Sequence, residues 1–180
     1  MACGATLVPL AGCQSVVRSP ATLAYETATV GMSRSDSRNP PWTGRILSRN
    51  DLQARTGAIY MADETYAEVN SRWLADYYAD FRAELSRQGV TRGEDRFDCV
   101  RFSEFYSGLA QARFFRAAFH DRIPARALAL GQIWYFRTDG RAHAIVQALT
   151  ERGQIFIEPQ TGLEMHLTAD ERKAIYFQLF

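Results

Sequence analysis

Apolar residues recur at spacings of three and four from Trp73 through Leu74, Tyr77, Phe81 and Leu85. That spacing places one buried stripe along a helix. Asn70 and Ser71 precede it, residue types that satisfy free N–H groups at a helix start, and Gly89 follows, a common terminator. A second helix is predicted from about Cys99 to about Phe119, with Phe102, Phe105, Tyr106, Leu109 and Ala112 facing inward. Asp95 and Asp98 stand at its start, where the helix dipole favours negative charge. Beyond Pro124 the pattern becomes extended. ALALGQIWYFRT leads to a turn at Asp139-Gly140, AHAIVQALT to a turn at Gly153, and QIFIEP follows. Short segments near Glu164–Leu167 and Ile175–Leu179 are candidates to close the sheet. Helices followed by a meander predict the α+β class, with N-terminal helices packed on a C-terminal antiparallel β-sheet.

The first 50 residues lack this patterning. Leu10-Ala11-Gly12-Cys13 resembles the bacterial lipobox, in which the cysteine is lipidated, so residues 1–13 are a candidate lipoprotein signal. The apolar run from Ala5 to Ala11 is short, and no Lys or Arg precedes it. Residues 14–50 are rich in Ser, Arg, Thr and Asn, and Asn39-Pro40-Pro41 forbids a helix there. They read as a flexible tether, with the folded domain over 51–180. If Cys13 is lipidated, the protein belongs at the bacterial cell envelope, with the anchor as its only membrane contact. Otherwise the expectation is a cytoplasmic or secreted protein.

At 180 residues the chain suits one domain with a sizeable core, and its 47% hydrophobic content marks it as globular. Basic and acidic residues number 21 and 20, for a net charge of +1. The basic residues are all Arg except Lys173 and form no stripe, so no nucleic-acid partner is expected. Cys3 and Cys13 lie near the start and Cys99 stands alone in the folded part, which argues against a disulfide framework or a thiolate metal site.

A lone cysteine at a helix N-terminus is chemically suggestive. The dipole and the free N–H groups favour thiolate, and the same N–H groups can receive an oxyanion. A cysteine nucleophile also needs an imidazole, and that imidazole needs an orienting acceptor. His143 opens a strand just after the Asp139-Gly140 turn, whereas His120 and His166 lie where nothing calls for a base. Glu158 ends the following strand in FIEPQTG, where a carboxylate can reach the far ring nitrogen. Cys99, His143 and Glu158 are therefore the catalytic candidates. Asn70 is a candidate oxyanion donor, although its place suits an N-cap. Trp134 is a candidate shield over the triad, with core packing the simpler role. Gln160 is a further candidate for oxyanion or substrate contact.

Asp98-Cys99 opening a helix, His143 opening a strand and FIEPQTG ending the next resemble papain-like cysteine peptidases. The nearest group is the C-terminal protease domain of the Marasmius oreades agglutinin with its bacterial and phage relatives. MADETYAEVNSRWL also resembles that group's segment before its first helix, and the resemblance spans about Ile59 to Gly162. It implies a papain-like fold, a Cys-His-Glu triad in this chain order, a peptide or protein substrate, and hydrolysis through a thioester. In the agglutinin the activity is calcium-dependent. Relatives often carry further acidic residues after Asp-Cys, and Val100-Arg101 stand there instead, so no cofactor is expected. Nor does a glutamine lie a few residues before Cys99, as one does in papain. Two alternatives remain. One is a cell-wall peptidase or amidase of the NlpC/P60 type, which usually orients its histidine with a second histidine. The other is a catalytically silent binding domain at the envelope.

Overall fold

The computed structural model describes residues 39–90 and 97–180. Cys3, Cys13, most of the expected tether and Asp95 lie outside the described residues. Among the described residues, four helices and eight strands form an α+β arrangement with one mostly antiparallel sheet. In chain order they are β1 (Trp42–Ser48), α1 (Arg49–Thr56), β2 (Thr65–Val69), α2 (Ser71–Arg87), α3 (Cys99–Asp121), β3 (Ala127–Leu128) and β4 (Leu130–Phe136). Then come β5 (Ala142–Thr150), β6 (Gly153–Glu158), β7 (Leu163–Met165), α4 (Ala169–Lys173) and β8 (Ile175–Leu179).

The expected order of helices before strands holds only in part. β1 lies inside the stretch read as tether, so ordered structure begins ahead of residue 51. It pairs antiparallel with β2, which runs parallel to β3 and meets the end of β5 at Val69↔Thr150. The reason β1 escapes pattern reading is its edge position: Leu47 is its only buried residue. β2 carries the buried Glu68, which is held by Arg55 at 3.0 Å and by the Thr43 hydroxyl at 3.0 Å. Such a buried carboxylate is tolerable only because it is paired.

The two long helices form over the expected stretches, although Ala112, expected to face inward, is exposed. Trp73, Leu74, Tyr77, Phe81 and Leu85 of α2 are buried, as are Phe102, Tyr106, Ala110 and Phe114 of α3. The Tyr77 hydroxyl donates to the Tyr106 carbonyl at 2.8 Å, and burial pushes both phenols up. Gln111 fastens α3 to the sheet. Its amide donates to the carbonyls of Leu128 and Leu130 at 2.9 Å each, and its oxygen accepts from Leu128 N at 2.9 Å. The helices cover the sheet face bearing Leu130, Val146, Ala148 and Ile157. The other face carries a smaller core of Ile133, Tyr135, Ile145, Phe156 and Leu167. Among the described residues no helix is long and apolar enough to cross a membrane.

Candidate active site

The hairpin between β4 and β5 places the imidazole. Arg137 N donates to Arg141 O at 2.9 Å and Gly140 N donates to Arg137 O at 2.8 Å, with Gly140 at φ 78°. Asp139 occupies Arg141, accepting from its backbone N at 3.0 Å and from its guanidinium at 2.6 and 2.8 Å. This closed turn sets Tyr135 opposite His143, and opposite residues of an antiparallel pair share a face. The Tyr135 ring stands edge-on to the imidazole, with centroids 5.9 Å apart.

The end of β6 places the carboxylate. Val146 pairs with Ile157, so Glu158 falls on the same face as Ile145 and His143. Pro159 has no N–H to continue the ladder, and the chain turns back on Glu158. Thr161 N and Gly162 N donate to the Glu158 carbonyl at 3.2 and 2.7 Å, and Gln160 N donates to Oε1 at 3.2 Å. Gly162 adopts φ 75°, and a Cβ there would sit 2.5 Å from the Tyr78 ring. The Tyr78 hydroxyl donates to Gln160 O at 2.8 Å, so α2 holds this turn from outside.

His143 Nε2 and Glu158 Oε2 lie 2.7 Å apart, with side chains only 10% and 11% exposed. A hydrogen bond this short between largely desolvated partners is of the charge-assisted kind. Because Nε2 is occupied, Nδ1 is the nitrogen left for a nucleophile. Arg137 lies 3.9 Å from the same Oε2.

Cys99 is the first residue of α3 and half-buried. Asp98 caps the helix, accepting from Arg101 N at 3.1 Å, and Phe102 N donates to Asp98 O at 2.9 Å. The N–H groups of Cys99 and Val100 have no intrahelical acceptor, as first-turn groups never do. The Cys99 carbonyl accepts from the Ser103 hydroxyl at 2.8 Å. Among the described residues no hydrogen bond joins the thiol to His143. The structure thus joins His143 to Glu158 but does not bring Cys99 to them: the thiol heads α3, which packs on the Val146 and Ala148 face of the sheet, whereas His143 lies on the face of Tyr135 and Ile145.

Three other expectations are corrected. Asn70 is the N-cap of α2, its side chain accepting from Arg72 N and Trp73 N at 3.0 and 3.3 Å. It adjoins Val69, which pairs with Thr150 at the far end of β5. Thr150 lies seven strand positions from His143, about 23 Å, so Asn70 is remote from the imidazole. Trp134 pairs with Ala144 on the face opposite His143 and packs on Phe177, centroids 4.8 Å apart, so it shields no imidazole. Tyr135 fills that place, one position along. Gln160 acts through its backbone, as its N and O contacts show. Sequence reasoning missed Tyr135, Arg137 and Tyr78; the period-two alternation around His143 could have flagged the first two. Val100 and Arg101 follow Cys99 without forming an acidic site, and Arg101 pairs with Glu104 at 2.6 Å. No group of three His, Cys, Asp or Glu suited to a metal ion occurs among the described residues.

Solved proteins share this fold. The chain is similar to Polyporus squamosus lectin bound to the human-type influenza-binding epitope Neu5Aca2-6Galb1-4GlcNAc, at 20% identity and TM-score 0.51 over 72% of this chain and 46% of that one. It is also similar to PSL1a in its E64 complex, at 21% identity and TM-score 0.52 over 75% of this chain and 51% of that one. The chain therefore spans about half the length of each. No family model and no curated protein sequence matches it.

Proposed function

We propose that residues 42–180 form a papain-like thiol hydrolase of the agglutinin protease group, with Cys99 as nucleophile, His143 as base and Glu158 as its orienter. The observation that carries this reading is the desolvated His143–Glu158 hydrogen bond of 2.7 Å, which leaves Nδ1 free. In the reaction Nδ1 takes the thiol proton and Sγ bonds to the peptide carbonyl carbon. The resulting oxyanion is received by the first-turn N–H of Cys99; one such donor typically contributes about 3 kcal/mol. Collapse breaks the C–N bond, with the imidazolium returning its proton to the leaving amine and a thioester remaining. Water then attacks the thioester, giving its proton to His143, and the thiol is restored. Glu158 holds the tautomer and stabilises the imidazolium without itself taking the proton. A carboxylate partner for His143, where the NlpC/P60 type usually has a histidine, supports this reading over that one. The fold neighbour PSL1a is solved with E64, which makes E64 the probe to try on this chain.

Labelling tests it. Wild-type protein incubated with E64 at pH 6 is expected to gain one adduct at Cys99 within minutes, and an ordinary thiol of pKa about 8.5 would react far more slowly. His143→Ala should slow labelling by about 10²-fold. Cys99→Ala should abolish hydrolysis of a peptide library. Slow labelling of the folded wild type would sink the proposal.

The second reading is a silent binding domain. Two observations favour it: the thiol lacks a hydrogen bond to His143 among the described residues, and a structural neighbour is a lectin bound to a sialylated glycan. An inert Cys99 together with retention on an immobilised glycan array would decide for it.

A further inference from the structure

The sheet face that carries Ile133, Ile145 and Phe156 also holds three glutamines outside the candidate active site. Gln147 pairs with Phe156 across β5 and β6, and Gln178 pairs with Ile133 across β8 and β4, so both share that face. Gln154 joins them from two residues before Phe156, and four strand positions, roughly 13 Å, separate it from Glu158. Gln147 is fully buried and serves as the hub. Its Nε2 donates to the Leu179 carbonyl at 3.1 Å and to the Gln132 carbonyl at 3.5 Å. Its Oε1 accepts from Gln154 Nε2 at 3.0 Å and from Gln178 Nε2 at 2.9 Å. Gln178 Nε2 also donates to the Thr56 carbonyl at 3.1 Å. These bonds satisfy the hub and decide which way the two outer amides turn. Gln154 and Gln178 each spend N–H groups on the protein, and the Oε1 of each meets no donor among the described residues. Gln178 is only 5% exposed, and a polar side chain so deeply buried ordinarily has its oxygen bonded.

Gln154 and Gln178 line a cleft of about 360 Å³, together with Thr56 of α1, Phe156, Ile175 and Arg172 of α4. That volume lies in the range of small-molecule sites. The Arg172 guanidinium lies 5.0 Å over the Phe156 ring centroid and has no carboxylate partner among the described residues. No acidic residue lines the cleft among the described residues. The lining therefore offers one cation and two neutral oxygens that can only accept. We infer that this cleft binds a small hydroxylated carboxylate, a sugar acid of the uronate kind. The carboxylate pairs with the guanidinium, whose planar fork suits two oxygens at once. The hydroxyls donate to Gln154 Oε1 and Gln178 Oε1, and the C–H surface of the ring lies against Ile175. A neutral sugar would leave the cation unmatched, and a bare carboxylate would leave both amide oxygens without a donor.

An NMR titration of the full chain with glucuronate tests this. The side-chain amide signals of Gln154 and Gln178 are expected to move and to saturate together. Glucose, which lacks the carboxylate, and acetate, which lacks the hydroxyls, should bind about tenfold more weakly or worse. Arg172→Met keeps the apolar stem over Phe156 and should weaken glucuronate binding by about tenfold, and Gln154→Leu by roughly fivefold. Arg172→Lys should recover part of the loss. Absence of a saturable shift in the wild type overturns the inference, as does a folded Arg172→Met protein that binds glucuronate unchanged. Should the methionine variant not fold, Arg172→Gln reads the same loss. Failure of both neutral variants to fold would make Arg172 structural and would also overturn it. If N-acetylleucine saturates the site and glucuronate does not, the cleft takes peptide C-termini and the sugar-acid inference falls.

Discussion

Gly162 shows how little separates a turn from a site. Its φ of 75° suits glycine, and its missing Cβ makes room for the Tyr78 ring. Gly162→Ala is expected to destabilise the protein by about 1–3 kcal/mol, through left-handed strain and the clash. Urea unfolding would measure it, and Tyr78→Ala in the same chain should recover the clash part, since the two groups are in contact. The same substitution should loosen the His143–Glu158 bond, because the turn that holds Glu158 is the one being strained. Cys99, His143 and Glu158 were legible as residues because each sits at a chemically meaningful end of an element. Tyr135 and Arg137 were missed: period-two alternation puts them on one face at the end of β4, but only the β4–β5 register makes that face the one of His143.

At the scale of elements, α2 begins on a shared device. Asn70 caps it, and Glu151 from the end of β5 accepts from Ser71 N at 3.2 Å and from the Ser71 hydroxyl. Burial opposes ionisation of Glu151, but the hydrogen bonds from Ser71 outweigh it and hold the carboxyl below its usual range. A depressed carboxyl stabilises the fold above its unfolded pKa and loses that contribution as pH falls through the folded one. Stability should therefore drop on acidification below about pH 4, and Glu151→Gln should flatten that drop in thermal melts taken from pH 6 to pH 3. A melt series in which the variant and wild type fall in parallel would remove Glu151 from the account. Asn70→Ala should independently cost about 1 kcal/mol at neutral pH, the ordinary worth of a cap, and leave E64 labelling of Cys99 unchanged. α2 and α3 were readable because their apolar stripes are long and regular. β1 was not, since an edge strand with one buried residue has no pattern to read.

Over the whole molecule, β8 closes one edge of the sheet against β4. Gly131 permits that closure: a Cβ there would lie 2.0 Å from the Leu179 carbonyl oxygen. Gly131→Ala is expected to push β8 off the sheet at a cost of about 3 kcal/mol or more, read as a large fall in the urea midpoint. An alanine variant as stable as wild type would mean that β8 is free to shift. Local order determined much about this protein. The spacing of apolar residues set the two helices, the Asp-Gly turn set the β4–β5 hairpin, and the lone cysteine at a helix start marked the candidate nucleophile. Those features depend on neighbours a few residues away, and short-range sterics and periodicity are written in the chain. Tertiary structure alone decided that β1 and β2 join the sheet ahead of the two long helices and that Asn70 lies at the far end of β5 from His143. It also decided that Glu158 meets His143, with Arg137 3.9 Å from the same oxygen. Strand register and sheet order are set by which buried faces fit together across many residues, and a one-residue slip would have turned His143 to the other face.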